Sequence, residues 1–121
     1  MGTALVVEDS LTDMQVISSC LKQGGLNVLT ADSSEEAITK ITNHKPDVIV
    51  LDVVLPGRSG FELCRELKAE AQTRSIPIII CSTKSGEMDK FWGMKQGADA
   101  YIAKPVDQEE LVRTVKQLIK R

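Results

Sequence analysis

Four uninterrupted apolar residues, Val48-Ile49-Val50-Leu51, run directly into Asp52, and this stretch narrows the choice of fold more than any other. An apolar run this short, without polar alternation, fits a strand buried on both faces, and such strands belong mostly to parallel sheets covered by helices on each side. A charge within the strand would be costly. Asp52 therefore stands just past the strand's carboxyl end, where open α/β sheets place their chemistry.

The same grammar repeats along the chain. Ala4-Leu5-Val6-Val7 reads as a buried strand that ends on Glu8-Asp9, and Ser10 caps a helix with apolar positions Leu11, Met14, Ile17 and Leu21 that stops at Gly24-Gly25. Val28-Leu29 gives a second strand. Ser33 and Glu36, at capping-box spacing, open a helix closed by His44-Lys45-Pro46 before the Asp52 strand, and Ser59 with Glu62 opens the next. Ile78-Ile79-Ile80-Cys81 is a fourth strand ending at Ser82-Thr83. Met88, Phe91, Trp92 and Met94 mark a helix ended by Gly97, Ala100-Tyr101-Ile102-Ala103 is a fifth strand ending at Lys104-Pro105, and Asp107 and Glu110 cap the last helix. Five strands alternating with five helices predict an α/β three-layer sandwich with a parallel sheet.

Composition removes several function classes. With 15 Lys+Arg against 17 Asp+Glu and a formal net charge of -2, the chain has no electrostatic footprint for nucleic acid. No apolar run approaches a membrane span, so a soluble cytoplasmic protein is expected, without membrane insertion. The length suits one domain over 1–121, with no tail for an output domain. Cys20, Cys64 and Cys81 lack paired spacing and sit among apolar neighbours as small core residues. His44, the one histidine, reads as a surface residue.

At the strand ends, Glu8, Asp9, Asp52, Ser82 and Lys104 are expected to converge. Neighbouring carboxylates repel unless a cation joins them, and hard oxygen ligands suit Mg²⁺ (or Mn²⁺). A metal, a lysine and a hydroxyl around one carboxylate form a cradle for a phosphoryl group, with Asp52 as nucleophile.

These residues together resemble the receiver domain of bacterial two-component response regulators, in particular stand-alone CheY-like receivers. Glu8-Asp9 matches the acidic pair, Asp52 the phosphoacceptor, Ser82 the switch hydroxyl, Tyr101 the switch aromatic and Lys104-Pro105 the Lys-Pro step, with Ser82 and Lys104 lying 30 and 52 positions beyond Asp52. The resemblance implies a flavodoxin-like sheet of order 2-1-3-4-5. It also implies phosphoryl transfer from a sensor histidine kinase or phosphotransfer protein to Asp52, with Mg²⁺ held by Asp9, Asp52 and the Val54 backbone carbonyl, Glu8 helping through water. Lys104 would pair with the phosphoryl oxygens, Ser82 would hydrogen-bond one of them and draw Tyr101 inward, and a cis Lys104-Pro105 peptide would aim the lysine.

Such a chain is a phosphoacceptor signalling protein, not a turnover enzyme, promoting only its own phosphoryl transfer and dephosphorylation. Its downstream partner would meet the face of the fourth helix, fifth strand and fifth helix, with Phe91, Trp92 and Tyr101 as contact residues, the protein being a monomer or a phosphorylation-dependent dimer. Val54 and Lys84 take the positions that flank attacking water, and apolar Val54 implies a long-lived acyl phosphate. The segment Ser82-Thr83-Lys84 with Phe91-Trp92-Gly93-Met94-Lys95-Gln96-Gly97 is similar to receivers of type IV pilus twitching and phototaxis systems, placing the chain in motility or chemotaxis signalling.

Two alternatives compete. A Mg²⁺-dependent phosphatase of the haloacid dehalogenase type also uses a strand-end Asp, but needs a second Asp where Val54 stands. A receiver that binds partners without phosphorylation would not need every chemical position filled, as they are here.

Overall fold

The structure, a computed structural model, describes residues 2–120, so Met1 and Arg121 of the expected 1–121 domain lie outside it. Ten elements alternate: β1 (Thr3–Val7), α1 (Leu11–Gln23), β2 (Asn27–Ala31), α2 (Ser34–His44), β3 (Val48–Leu51), α3 (Gly60–Ala69), β4 (Ile78–Ser82), α4 (Glu87–Lys95), β5 (Ala100–Ala103) and α5 (Gln108–Ile119). The strands form one parallel sheet in the order β2-β1-β3-β4-β5, the flavodoxin-like arrangement.

Strand periodicity sorts the core into two layers. Leu5, Val7, Ile49, Leu51, Ile78 and Ile80 point to one face, against Ala37 and Ile41 of α2 and Leu63, Cys64 and Leu67 of α3. Val6, Val48, Val50, Ile79, Cys81 and Ile102 point to the other, against Ile17 and Leu21 of α1 and Leu111 and Val115 of α5. Burying one such Leu or Ile side chain stabilises by about 1.5–3 kcal/mol, so β1, β3 and β4, apolar on both faces, hold the sheet centre. Cys64 and Cys81 are buried free thiols and Cys20 is half-buried. Among the described residues no helix is long and apolar enough to cross a membrane.

The helix starts follow the capping logic with two differences. Ser10, Ser33 and Ser59 accept from the amides of Asp13, Glu36 and Glu62, and Glu62 completes the box by accepting from Ser59 N. Glu36 instead reaches one residue further back, to Asp32 N at 2.7 Å. At α5 the cap is Asp107 alone, accepting from Glu109 N at 3.1 Å, while Glu110 does not close a box.

In α4, which forms where periodicity places it, Met88, Phe91, Trp92 and Met94 are all exposed, and the buried residue is Gly93. The Tyr101 ring and Ile80 fill the space beneath α4, leaving room for a backbone without a side chain. The apolar side chains of this helix therefore face outward.

Candidate functional site

Parallel pairing brings the carboxyl ends of β1, β3, β4 and β5 to one edge of the sheet. Asp52 follows β3 and is buried, 8% exposed, because α3 starts directly over it: Gly60 N donates to Val53 O at 2.8 Å. A Cβ on Gly60 would overlap the Asp52 carbonyl oxygen, so this close approach requires glycine. One Asp52 carboxylate oxygen accepts from Val53 N at 2.6 Å and, more weakly, from Val54 N at 3.4 Å.

The other oxygen accepts from Lys104 Nζ at 2.9 Å. Lys104 follows β5, its peptide to Pro105 is cis, and its side chain is 7% exposed. The ammonium also donates to Glu8 Oε1 at 2.5 Å and to Asp13 Oδ2 at 2.8 Å. Glu8 is buried at the end of β1, and its second oxygen accepts from Ser10 N.

Of the residues expected to converge, Glu8, Asp52, Ser82 and Lys104 line one edge, whereas Asp9 is exposed at the rim. Asp13 joins them unexpectedly. It lies in the first turn of α1, and only the side-chain reach across to β5 recruits it; in the sequence its one signal is an acid four positions past Asp9.

Electrostatics separates the charged groups. Burial alone would raise the Asp52 pKa, but the Ser82 hydroxyl and the Lys104 ammonium outweigh it and hold the carboxyl below its ordinary value, even though Ser82 makes no bond to Asp52 of ordinary hydrogen-bond geometry. For Glu8, burial wins over the Lys104 hydrogen bond and its pKa is raised. Burial would lower the Lys104 pKa, but Asp13, Glu8 and Asp52 together raise it. The site thus presents an ionised carboxylate beside a fixed cation.

Ser82 is fully buried and its hydroxyl accepts from Lys84 N at 3.2 Å. The Lys84 carbonyl in turn accepts from the Tyr101 hydroxyl. One residue, Lys84, thereby joins the Asp52 side of the sheet edge to the aromatic under α4.

A divalent cation fits the chemistry of this donor set. Glu8 and Asp52 are buried carboxylates that share one ammonium, Asp9 stands exposed beside Glu8, and all three offer hard oxygens. Among the described residues no group of three acidic, His or Cys side chains is gathered to hold a metal alone. Mg²⁺ keeps several waters and takes only one or two carboxylates from a protein.

A family model described as the response regulator receiver domain matches residues 4–116. The chain belongs to that family. Among its relatives is protein PilH of Pseudomonas aeruginosa, 40% identical over 119 residues that cover 98% of each chain. Other curated relatives are about twice as long, and the chain spans about half their length. Among solved structures, the chemotaxis response regulator CheY4 of Vibrio cholerae superposes with a TM-score of 0.89 at 31% identity, covering 98% of each chain. The receiver domain of a sensor histidine kinase from Pseudomonas aeruginosa PAO1, with magnesium coordinated in its active-site cleft, superposes with a TM-score of 0.91 at 28% identity, covering 99% of this chain and 98% of that one.

Membership makes this a two-component receiver whose phosphoryl source is a histidine kinase or phosphotransfer protein. The haloacid dehalogenase alternative gains nothing from the site: Val54, at the position its acid/base would need, is exposed and apolar.

Proposed function

We propose that Asp52 is the phosphoacceptor of this receiver. An Asp52 oxygen bonds to phosphorus as the phosphorus–nitrogen bond of a partner's phosphohistidine breaks, and the departing imidazole keeps the electron pair and takes up a proton. The observation that carries this reading is Lys104 Nζ at 2.9 Å from Asp52 Oδ2, with the carboxyl held ionised. A nucleophile and a cation ready for phosphoryl oxygens stand side by side.

Asp9, Asp52 and the Val54 backbone carbonyl, with Glu8 through water, would hold Mg²⁺ or Mn²⁺, which when bound neutralises charge on the phosphoryl oxygens. Ser82 turns to a phosphoryl oxygen, releasing the Lys84 amide, and Tyr101 follows through the Lys84 carbonyl. The change reaches the surface of α4, β5 and α5, where Phe91 and Trp92 meet a downstream protein in a monomer or a phosphorylation-dependent dimer. The protein works in the cytoplasm and is not a turnover enzyme. Likeness to the chemotaxis response regulator CheY4 supports a role in motility or chemotaxis signalling. Exposed Val54 has no polar group to orient water, so the acyl phosphate is long-lived and Val54→Asn shortens its half-life.

The test is transfer from a phosphorylated histidine kinase or phosphotransfer protein. Label should appear on the chain, be released by hydroxylamine as an acyl phosphate is, and map to Asp52; label stable to hydroxylamine, or on another residue, contradicts the reading.

A further inference from the structure

Lys104 has three N–H donors, and all three are taken: by Asp52, by Glu8 and by Asp13. The first two are strand-end acids. Asp13 comes from a different element, the first turn of α1, and approaches the ammonium from that helix. Ser10 sets both flanking acids, since its amide donates to Glu8 Oε2 at 3.2 Å and its hydroxyl accepts from Asp13 N at 3.3 Å. An acid in the first turn of a helix would favour the helix dipole wherever its side chain pointed, but this one spans to a lysine 91 positions away.

Consider what phosphorylation does to Lys104. Asp52 gives up its carboxylate charge when one of its oxygens bonds to phosphorus, and the N–H it accepted must pass to a phosphoryl oxygen. During that exchange the ammonium is held only by its other two partners. Glu8 is shared with Ser10 N, so Asp13 is the one anchor committed to the lysine by its side chain alone. We infer that Asp13 is a positioning residue for phosphoryl transfer, fixing Lys104 from the α1 side while Asp52 changes from carboxylate to acyl phosphate. Asp13 touches neither phosphorus nor donor and acts through Lys104.

This inference rests on Asp52 being the phosphoacceptor. Its test follows adduct formation by intact mass with acetyl phosphate and saturating Mg²⁺, in which the Asp52–phosphorus bond forms as acetate leaves with the electron pair. Asp13→Asn keeps the shape of the side chain and its place in the helix. It should slow the rate at saturating donor about tenfold, short of the roughly hundredfold that a full ångström of misplacement costs, with the half-saturating donor concentration unchanged. Asp13→Glu should restore most of the rate.

The decisive arm repeats Asp13→Asn in a Lys104→Met background, where the change should be silent because the residue it acts through is gone. A single-variant rate within about twofold of wild type, or an equal loss in both backgrounds, overturns the inference while leaving Asp52 in place. Absence of any adduct on the wild type overturns the Asp52 reading and this inference with it.

Discussion

Gly93 of α4 lies so close to the Tyr101 ring that a methyl group in its place would stand 2.7 Å from Cε2 and 2.8 Å from Cδ2. Tyr101 can therefore occupy its present position, hydroxyl on the Lys84 carbonyl, only while that side of α4 carries no side chain. Gly93→Ala sets two effects against each other. Alanine gains roughly 0.8–1 kcal/mol of helix propensity, whereas overpacking a buried contact costs about 1–3 kcal/mol. A net destabilisation in urea titration, with the Tyr101 ring signals shifted by NMR, is the expected outcome. A more stable variant with unshifted Tyr101 signals would contradict this packing.

Gly60 supports the reacting residue in the same way. A Cβ there would overlap the Asp52 carbonyl oxygen and stand 2.6 Å from Leu51 Cδ1, and backbone cannot yield as a flexible side chain can. Gly60→Ala should lower stability by about 1–3 kcal/mol and slow acetyl phosphate labelling by moving Asp52. Normal labelling with normal stability would show that α3 does not fix the acceptor.

Tyr101 is the chain's single tyrosine, so the pH-dependent rise in tyrosinate absorbance reports its phenol alone. Burial, with the charges of Asp89 and Asp52 adding to it, pushes its pKa up to about 12. A folded-state pKa above the unfolded value of about 10 stabilises the protein fully below pH 10, and that contribution is lost as pH rises through 12. The native midpoint should lie near 12 and fall to about 10 in denaturant. A native midpoint near 10 would place the ring in water.

What the sequence makes legible depends on how local the determining physics is. Strands such as Val48–Leu51 announce themselves because burial on both faces leaves no polar position, and Ser59–Glu62 announces α3 because capping is decided within four residues. Asp52, Ser82 and Lys104 could be grouped because each terminates a strand, and parallel strands end at one edge. Asp13 could not, since it sits in the first turn of α1 and not at a strand end, and a half-buried first-turn acid has an ordinary explanation in the helix dipole. Nor could the role of Gly93, the residue of α4 that packs inward on the Tyr101 ring and Ile80.

Asp52 as a phosphoacceptor is tested most directly by intact-mass measurement after incubation with acetyl phosphate and Mg²⁺, wild type beside Asp52→Asn. A single phosphoryl increment on the wild type and none on the variant is the predicted result. No increment on the wild type, or an equal one on Asp52→Asn, would contradict it.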